Sequence, residues 1–369
     1  MPPVIMQRSA GVDAAAPVLG GLTAHNTSRV YSPVTLSSEW PTVGRLLFVV
    51  SCSCLGTILN GFFVSSFFVE FTLKKVGNVF LACVGLADLI MTSSVMPISG
   101  VVLLSGEWDT LEVCRALQFL GQASTYSYSL FFAMAAIENY YRLCRSSDEY
   151  VMFISMHTSC TCVFIFALSF CLSAVGVFLN LDYDYCLRTD YGNFAFRITT
   201  LIIFHAVPLV VTYVGFLICA IHIRNRAAKE LPYRRSHQYE RDYSRTHLDI
   251  AVYSLHVLAW IPYLIVVYDY PNAPDYKFYH STWIAVCRPV LTNFLYCAIN
   301  RNFRRAFAHL YYYCCCKSST TRSFSTRHRR IICECKMPIS DVRVHIMHQA
   351  LSSNSPARGA SSCREMQEL

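Results

Sequence analysis

At 369 residues, 54% hydrophobic and only 15% charged, the chain is far more apolar than a soluble protein, which averages about 25% charged residues. A single soluble core stops growing at roughly 250–300 residues, so the apolar excess belongs in a bilayer. The net charge of +8 is what basic cytosolic loops give a membrane protein, and it calls for no nucleic acid.

Residues 1–44 read as an extracellular tail. They hold no compact apolar stretch of the signal-peptide kind, so the first long apolar run is expected to act as a signal anchor. Asn26-Thr27-Ser28 is a glycosylation sequon in this tail. Seven apolar segments follow, near 45–69, 78–104, 114–141, 159–180, 195–221, 247–269 and 280–300. A spanning segment must satisfy its own backbone hydrogen bonds, which makes each one a helix. Barrel strands would be about 10 residues long with alternating polarity. The predicted fold class is therefore an all-α membrane protein, a bundle of seven transmembrane helices over 45–300. The third, sixth and seventh segments are the more polar and are expected to face the bundle interior.

Lys and Arg set the orientation. Lys74 and Lys75 follow the first span, and Arg142 and Arg145 follow the third. Arg224, Arg226, Lys229, Arg234, Arg235, Arg241 and Arg245 follow the fifth, and Arg301, Arg304 and Arg305 the seventh. The opposite loops hold few, Arg188 and Lys277 among them. The basic side is cytosolic, which puts the N-terminus outside. Residues 301–316 read as a basic amphipathic cytosolic helix that ends in Cys314, Cys315 and Cys316, candidates for palmitoylation. The tail 317–369 is rich in Ser, Thr and Arg and is expected to be disordered, with candidate phosphorylation sites and basic residues facing anionic lipid. Eighteen cysteines do not imply a disulfide scaffold, because most sit in apolar runs as small hydrophobes. Cys333-Glu334-Cys335 is too short and isolated for a zinc site. No metal or cofactor is expected.

Several motifs now narrow the class. Asn60 is a polar residue in span one, and Leu86-Ala87-Asp88-Leu89 lies in span two. Trp108 precedes Cys114, and Cys186 follows span four. Phe204-His205-Ala206-Val207-Pro208, Ala259-Trp260-Ile261-Pro262 and Asn293-Phe294-Leu295-Tyr296 mark spans five, six and seven. In this order, over roughly 45–316, they resemble the rhodopsin-like G-protein-coupled receptors. Phe204-His205 before Pro208, and the run Ile137 to Cys144, are similar to melatonin-type receptors within that family.

The resemblance implies a disulfide between Cys114 and Cys186, on an oxidising face. It implies a hinge at Pro262, a packing sensor at Trp260, and a role for Tyr296 in switching. It places Asp88 where the family binds sodium. Arg288, also inside the membrane, is expected either to pair with Asp88 in place of the ion, or to snorkel or line a ligand cavity. Gly121 and Gln122 stand where amine receptors carry an aspartate, which argues against a cationic monoamine. Gln118, Gln122, His205, Tyr263 and Tyr268 are the expected ligand contacts by depth, and His205 is as readily a packed histidine.

The stretch 137–145, IENYYRLCR, departs from the family. From Cys114 to Asn139 is about 37 Å of helix at about 1.5 Å per residue, so Asn139 sits where the family's arginine does. Glu138 and Tyr140 match the flanking positions. Arg142, one turn on, could meet Glu138 or Asp242 instead; otherwise the lock is absent and the inactive state loose. Phe216, Thr292-Asn293, His256 and Phe166 replace further family residues. The leading reading is a plasma-membrane receptor that carries an extracellular small-molecule or peptide signal to a heterotrimeric G protein, with arrestin and membrane lipid as further partners. A non-coupling or scavenging receptor is the alternative, then a transporter or channel, although no paired broken helices are visible. No enzyme motif is present.

Overall fold

The computed structural model describes residues 30–36, 40–69, 78–268 and 274–315. Seven long helices form the bundle: α1 (Thr42–Val69), α2 (Val79–Ser105), α3 (Leu111–Cys144), α4 (Ser147–Phe178), α5 (Phe194–Lys229), α6 (His237–Tyr268) and α7 (Asp275–Ile299). The shorter α8 (Arg301–Cys315) follows, and no strand occurs among the described residues. Asn26, Lys74, Lys75, Cys316 and the tail 317–369 lie outside the described residues, as do the side chains of Cys314 and Cys315.

Six of the seven helices are long and apolar enough to cross a membrane by composition, and α3 is the exception. Its polarity has a local reason. Ser124, Thr125, Ser127 and Ser129 are buried among neighbouring helices. Ser124 Oγ donates to the Ala87 carbonyl at 2.8 Å, and Thr125 Oγ1 to the Gly121 carbonyl at 3.0 Å. A helix surrounded by protein rather than lipid can carry such groups. It starts cleanly at Thr110, whose hydroxyl accepts from the Val113 amide.

Two helices are interrupted at the same kind of place. A π turn at Met91–Val95 precedes Pro97, and another at Ile202–Ala206 precedes Pro208. A proline has no amide to return to the preceding turn, and the wider turn accommodates the loss. Gly56 lets α1 approach closely, because a Cβ there would stand 2.6 Å from Thr92 Cγ2 of α2.

Helices α4, α5 and α6 run further than their apolar cores. The basic segment 224–245, expected as a loop, is mostly helix: the end of α5, a turn at Leu231–Arg234, and the start of α6. Within it Arg226 lies over the ring of Tyr233 at 4.4 Å. α8 turns away at Asn300 and packs Phe303 and Ala306 inward. Phe303 stacks on Phe63 of α1 at 4.9 Å between ring centroids.

Candidate functional site

At the end of the bundle that holds Cys114, the two sulfurs of Cys114 and Cys186 are bonded, with 5.9 Å between their Cα atoms. The bond draws the loop after α4 inward over the bundle. Gln118 Nε2 of α3 donates to the Tyr183 carbonyl at 3.0 Å, and Gln122 Nε2 to Asp182 Oδ2 at 2.7 Å. Asp182 also takes its neighbour's amide, from Tyr183, at 2.7 Å, and Arg197 Nε stands 3.9 Å away. Burial nonetheless holds the Asp182 carboxyl above its ordinary pKa. Arg197 ties α5 to α6 through the Val267 carbonyl at 2.6 Å, under the ring of Tyr268. The segment 30–36 lies across the same end: Asp109 accepts from the amides of Tyr31 and Ser32 and from Thr35 Oγ1.

Below this cover are two adjoining cavities. One lies among α1, α2 and α7 and is lined by Val49, Val95, Met96, Leu117 and Trp283 among others. The other reaches the centre of the bundle, against Gly121, Gln122, Trp260 and Tyr263. Tyr185 and Thr282 border both. Neither is lined by a charged side chain. Of the expected ligand contacts, Gln118, Gln122 and Tyr263 reach the central cavity. His205 and Tyr268 do not. His205 packs between Tyr126 and Trp260, 6.0 and 6.4 Å between centroids. Tyr268 bonds the Arg197 carbonyl at 3.2 Å, above the cavity.

Deeper, Arg288 Nη2 of α7 lies 2.9 Å from Asp88 Oδ1 of α2, and both side chains are excluded from solvent. The guanidinium lies over the ring of Tyr128 at 4.1 Å, and Thr292 Oγ1 donates to Asp88 Oδ2 at 3.2 Å. His256 stacks on Tyr128 at 4.3 Å and meets Ser129 at 3.3 Å. Asn60 and Asn293 are hydrogen-bonded to each other, joining α1 to α7. α7 also carries Pro289, one turn before Asn293.

At the α8 end the arrangement differs from the sequence expectation. Arg142 Nη2 donates to Asn139 Oδ1 at 2.6 Å. Among the described residues no ion pair within 4.0 Å joins Arg142 to Glu138 or Asp242. Asp242 instead faces its neighbour Arg241 at 3.6 Å. Glu138 is buried and accepts from Tyr150 at 3.4 Å, while Tyr140 packs on Tyr141 under Arg145. The residue that gathers the helices is Asp249 of α6, which sequence reasoning missed. It accepts from Asn139 Nδ2 of α3 at 3.3 Å and from the Tyr296 hydroxyl of α7 at 2.8 Å. Arg245, one turn earlier, lies 3.9 Å from Asp249 and bonds Asn78 of α2. The signal was available: an acid inside an apolar span is costly and seldom idle. Asp182 offered none, being one polar loop residue among several.

The sequence model of the seven-transmembrane receptor (rhodopsin family) group matches residues 59–300. The chain is 23% identical to melatonin receptor type 1B-B of Danio rerio over 282 residues, covering 72% of this chain and 80% of that one. It is also 23% identical to melatonin receptor type 1A of Phodopus sungorus over 286 residues, covering 72% and 78%. The crystal structure of squid rhodopsin superposes with a TM-score of 0.60 at 15% identity, over 76% of this chain and 84% of that one.

Proposed function

The chain belongs to the rhodopsin family of seven-transmembrane receptors, and on that premise we propose how its bundle carries a signal. It is a G-protein-coupled receptor, a multi-pass protein of the plasma membrane whose partners are a ligand and a heterotrimeric G protein. In our reading the disulfide end faces outside and the arginine-rich α8 end faces the cytosol, in keeping with the positive-inside rule. Arrestin and anionic lipid are further partners at that inner end. Melatonin, after which the relatives above are named, is the first compound to offer it.

The observation that carries this reading is that one helix touches both ends of the mechanism. Trp260 of α6 lines the central cavity, and Asp249, on the same helix, holds α3 and α7 together. Pro262 lies two residues beyond Trp260 and weakens the helix at that point. A ligand that favours another packing of Trp260 would turn the inner half of α6 and part Asp249 from its partners. Asn139 keeps the place of the family's arginine as a neutral bridge, relaying Arg142 to Asp249.

The test is nucleotide exchange on a G-protein panel, with membranes holding the native chain or Asn139→Arg. Exchange by the native chain above empty membranes is the expected result, and Arg142→Ala should then alter it. A silent native chain beside an active Asn139→Arg chain would instead make this a non-coupling receptor.

A further inference from the structure

Three polar groups at the cavities have no partner. Thr282 Oγ1, Trp283 Nε1 and Trp260 Nε1 are each shut off from solvent and make no hydrogen bond. Thr282 borders both cavities, Trp283 the one among α1, α2 and α7, and Trp260 the central one. Thr282 is 6% exposed and Trp260 9%. A buried donor left unpaired is costly, and a ligand acceptor in the cavities would relieve that cost. Three polar side chains nearby are already committed. Gln118 and Gln122 give their amides to the loop, and Ser99 bonds within its own helix. The loop thus occupies the α3 side, and the free space lies toward α1, α2 and α7.

We infer that the joined cavities take one uncharged, largely aromatic or aliphatic ligand that presents hydrogen-bond acceptors to Thr282, Trp283 and Trp260. This rests on the receptor reading and specifies its ligand class. The walls supply no counter-charge, so a cation or anion would enter without a partner. The two cavities share Val95, Leu117, Tyr185, Thr282 and Val286 in their walls. The indole N–H groups can only donate, and the threonine hydroxyl can also donate, so the ligand supplies oxygen or nitrogen acceptors.

Three near-isosteric probes separate these requirements: 2-acetylnaphthalene, 2-ethylnaphthalene and 1-(2-naphthyl)ethylamine. The first is uncharged with an acceptor, the second has no acceptor, and the third is a cation. A probe of this size that fits should bind at about 1 mM or tighter. The readout is the melting temperature of the full chain in nanodiscs, titrated with each probe. 2-Acetylnaphthalene should raise it at the lowest concentration. Thr282→Val and Trp283→Phe should each weaken that effect by about tenfold, and Thr282→Ser should keep it. Equal potency of the amine would overturn the exclusion of charge. Equal potency of 2-ethylnaphthalene, or indifference to Thr282→Val, would overturn the acceptor requirement. No stabilisation by any of the three would overturn the site itself. If Thr282→Val does not fold, the comparison of probes on the native chain still decides. Basal nucleotide exchange is read in parallel, so the ligand class can fail while the receptor reading stands.

Discussion

Arg288 and Asp88 are each buried, and each is the other's opposite-sign partner at 2.9 Å. Removing one partner strands the other, at a cost of about 3–5 kcal/mol, which is most of what a marginal bundle has to spare. Asp88→Asn should therefore lose surface expression, and Arg288→Gln should do the same. The double variant should recover a large part of it, because two neutral polar groups face each other where two charges did. Surface labelling of the four chains measures this directly, and a double variant no better than the worse single one would show that the two charges act separately. The tethered guanidinium also occupies the surroundings of Asp88. Sodium should therefore leave the melting temperature of the native chain unchanged, when compared with equal potassium.

The loop after α4 is held by the disulfide, by Gln118 and by one buried carboxylate. Asp182 is held by Gln122, by the Tyr183 amide and near Arg197, yet burial raises its pKa above the ordinary carboxylate value of 3.8. A raised acid binds its proton more tightly in the folded chain than in the unfolded one. Its contribution to stability is therefore complete below the unfolded value and is lost as pH rises through the folded value. The melting temperature of the native chain should rise as pH is lowered from neutral toward the ordinary carboxylate range. Asp182→Asn keeps the Gln122 contact and should flatten that slope, and the difference between the two chains at each pH isolates the group. If the two slopes coincide, burial does not raise the Asp182 pKa in the folded chain. None of this was legible in the sequence. A helix announces itself by a long apolar run, and Trp260, Pro262 and Asp88 could be placed by depth along one. A loop has no period, so nothing marked Asp182 rather than Asp184 as the residue turned inward. Helix ends were illegible for a related reason: charged turns continue a helix beyond the membrane without any apolar signal, as at 224–245.

Across the whole molecule the sequence carried the bundle and the pairing of Asp88 with Arg288 as one of two readings, but misplaced the inner latch. It looked for a salt bridge from Arg142, because a lost arginine suggests a replacement arginine. The fold uses geometry instead: Asp249 lies close enough to Asn139 and Tyr296 to bind both, and neither needs a charge. If this acid holds α3, α6 and α7 in the closed arrangement, its loss shifts the closed–open equilibrium by the strength of those bonds. A hydrogen bond to a charged group contributes about 1.5–3 kcal/mol, so Asp249→Asn should favour the open state by about 10-fold to 100-fold. Ligand-independent nucleotide exchange should rise until it meets the activity of the fully open receptor. Tyr296→Phe removes one of the two bonds and should give a smaller rise. Because both changes act on one latch, the double variant should exceed Asp249→Asn by little, a non-additivity that a double-mutant cycle measures. A spin-label or fluorescence distance between the inner ends of α3 and α6 should lengthen in the same order. Exchange and distance that stay at native values in Asp249→Asn would mean that the closed state is held elsewhere. Arg245 with Asn78, which ties α6 to α2 beside it, would then be the next contact to break.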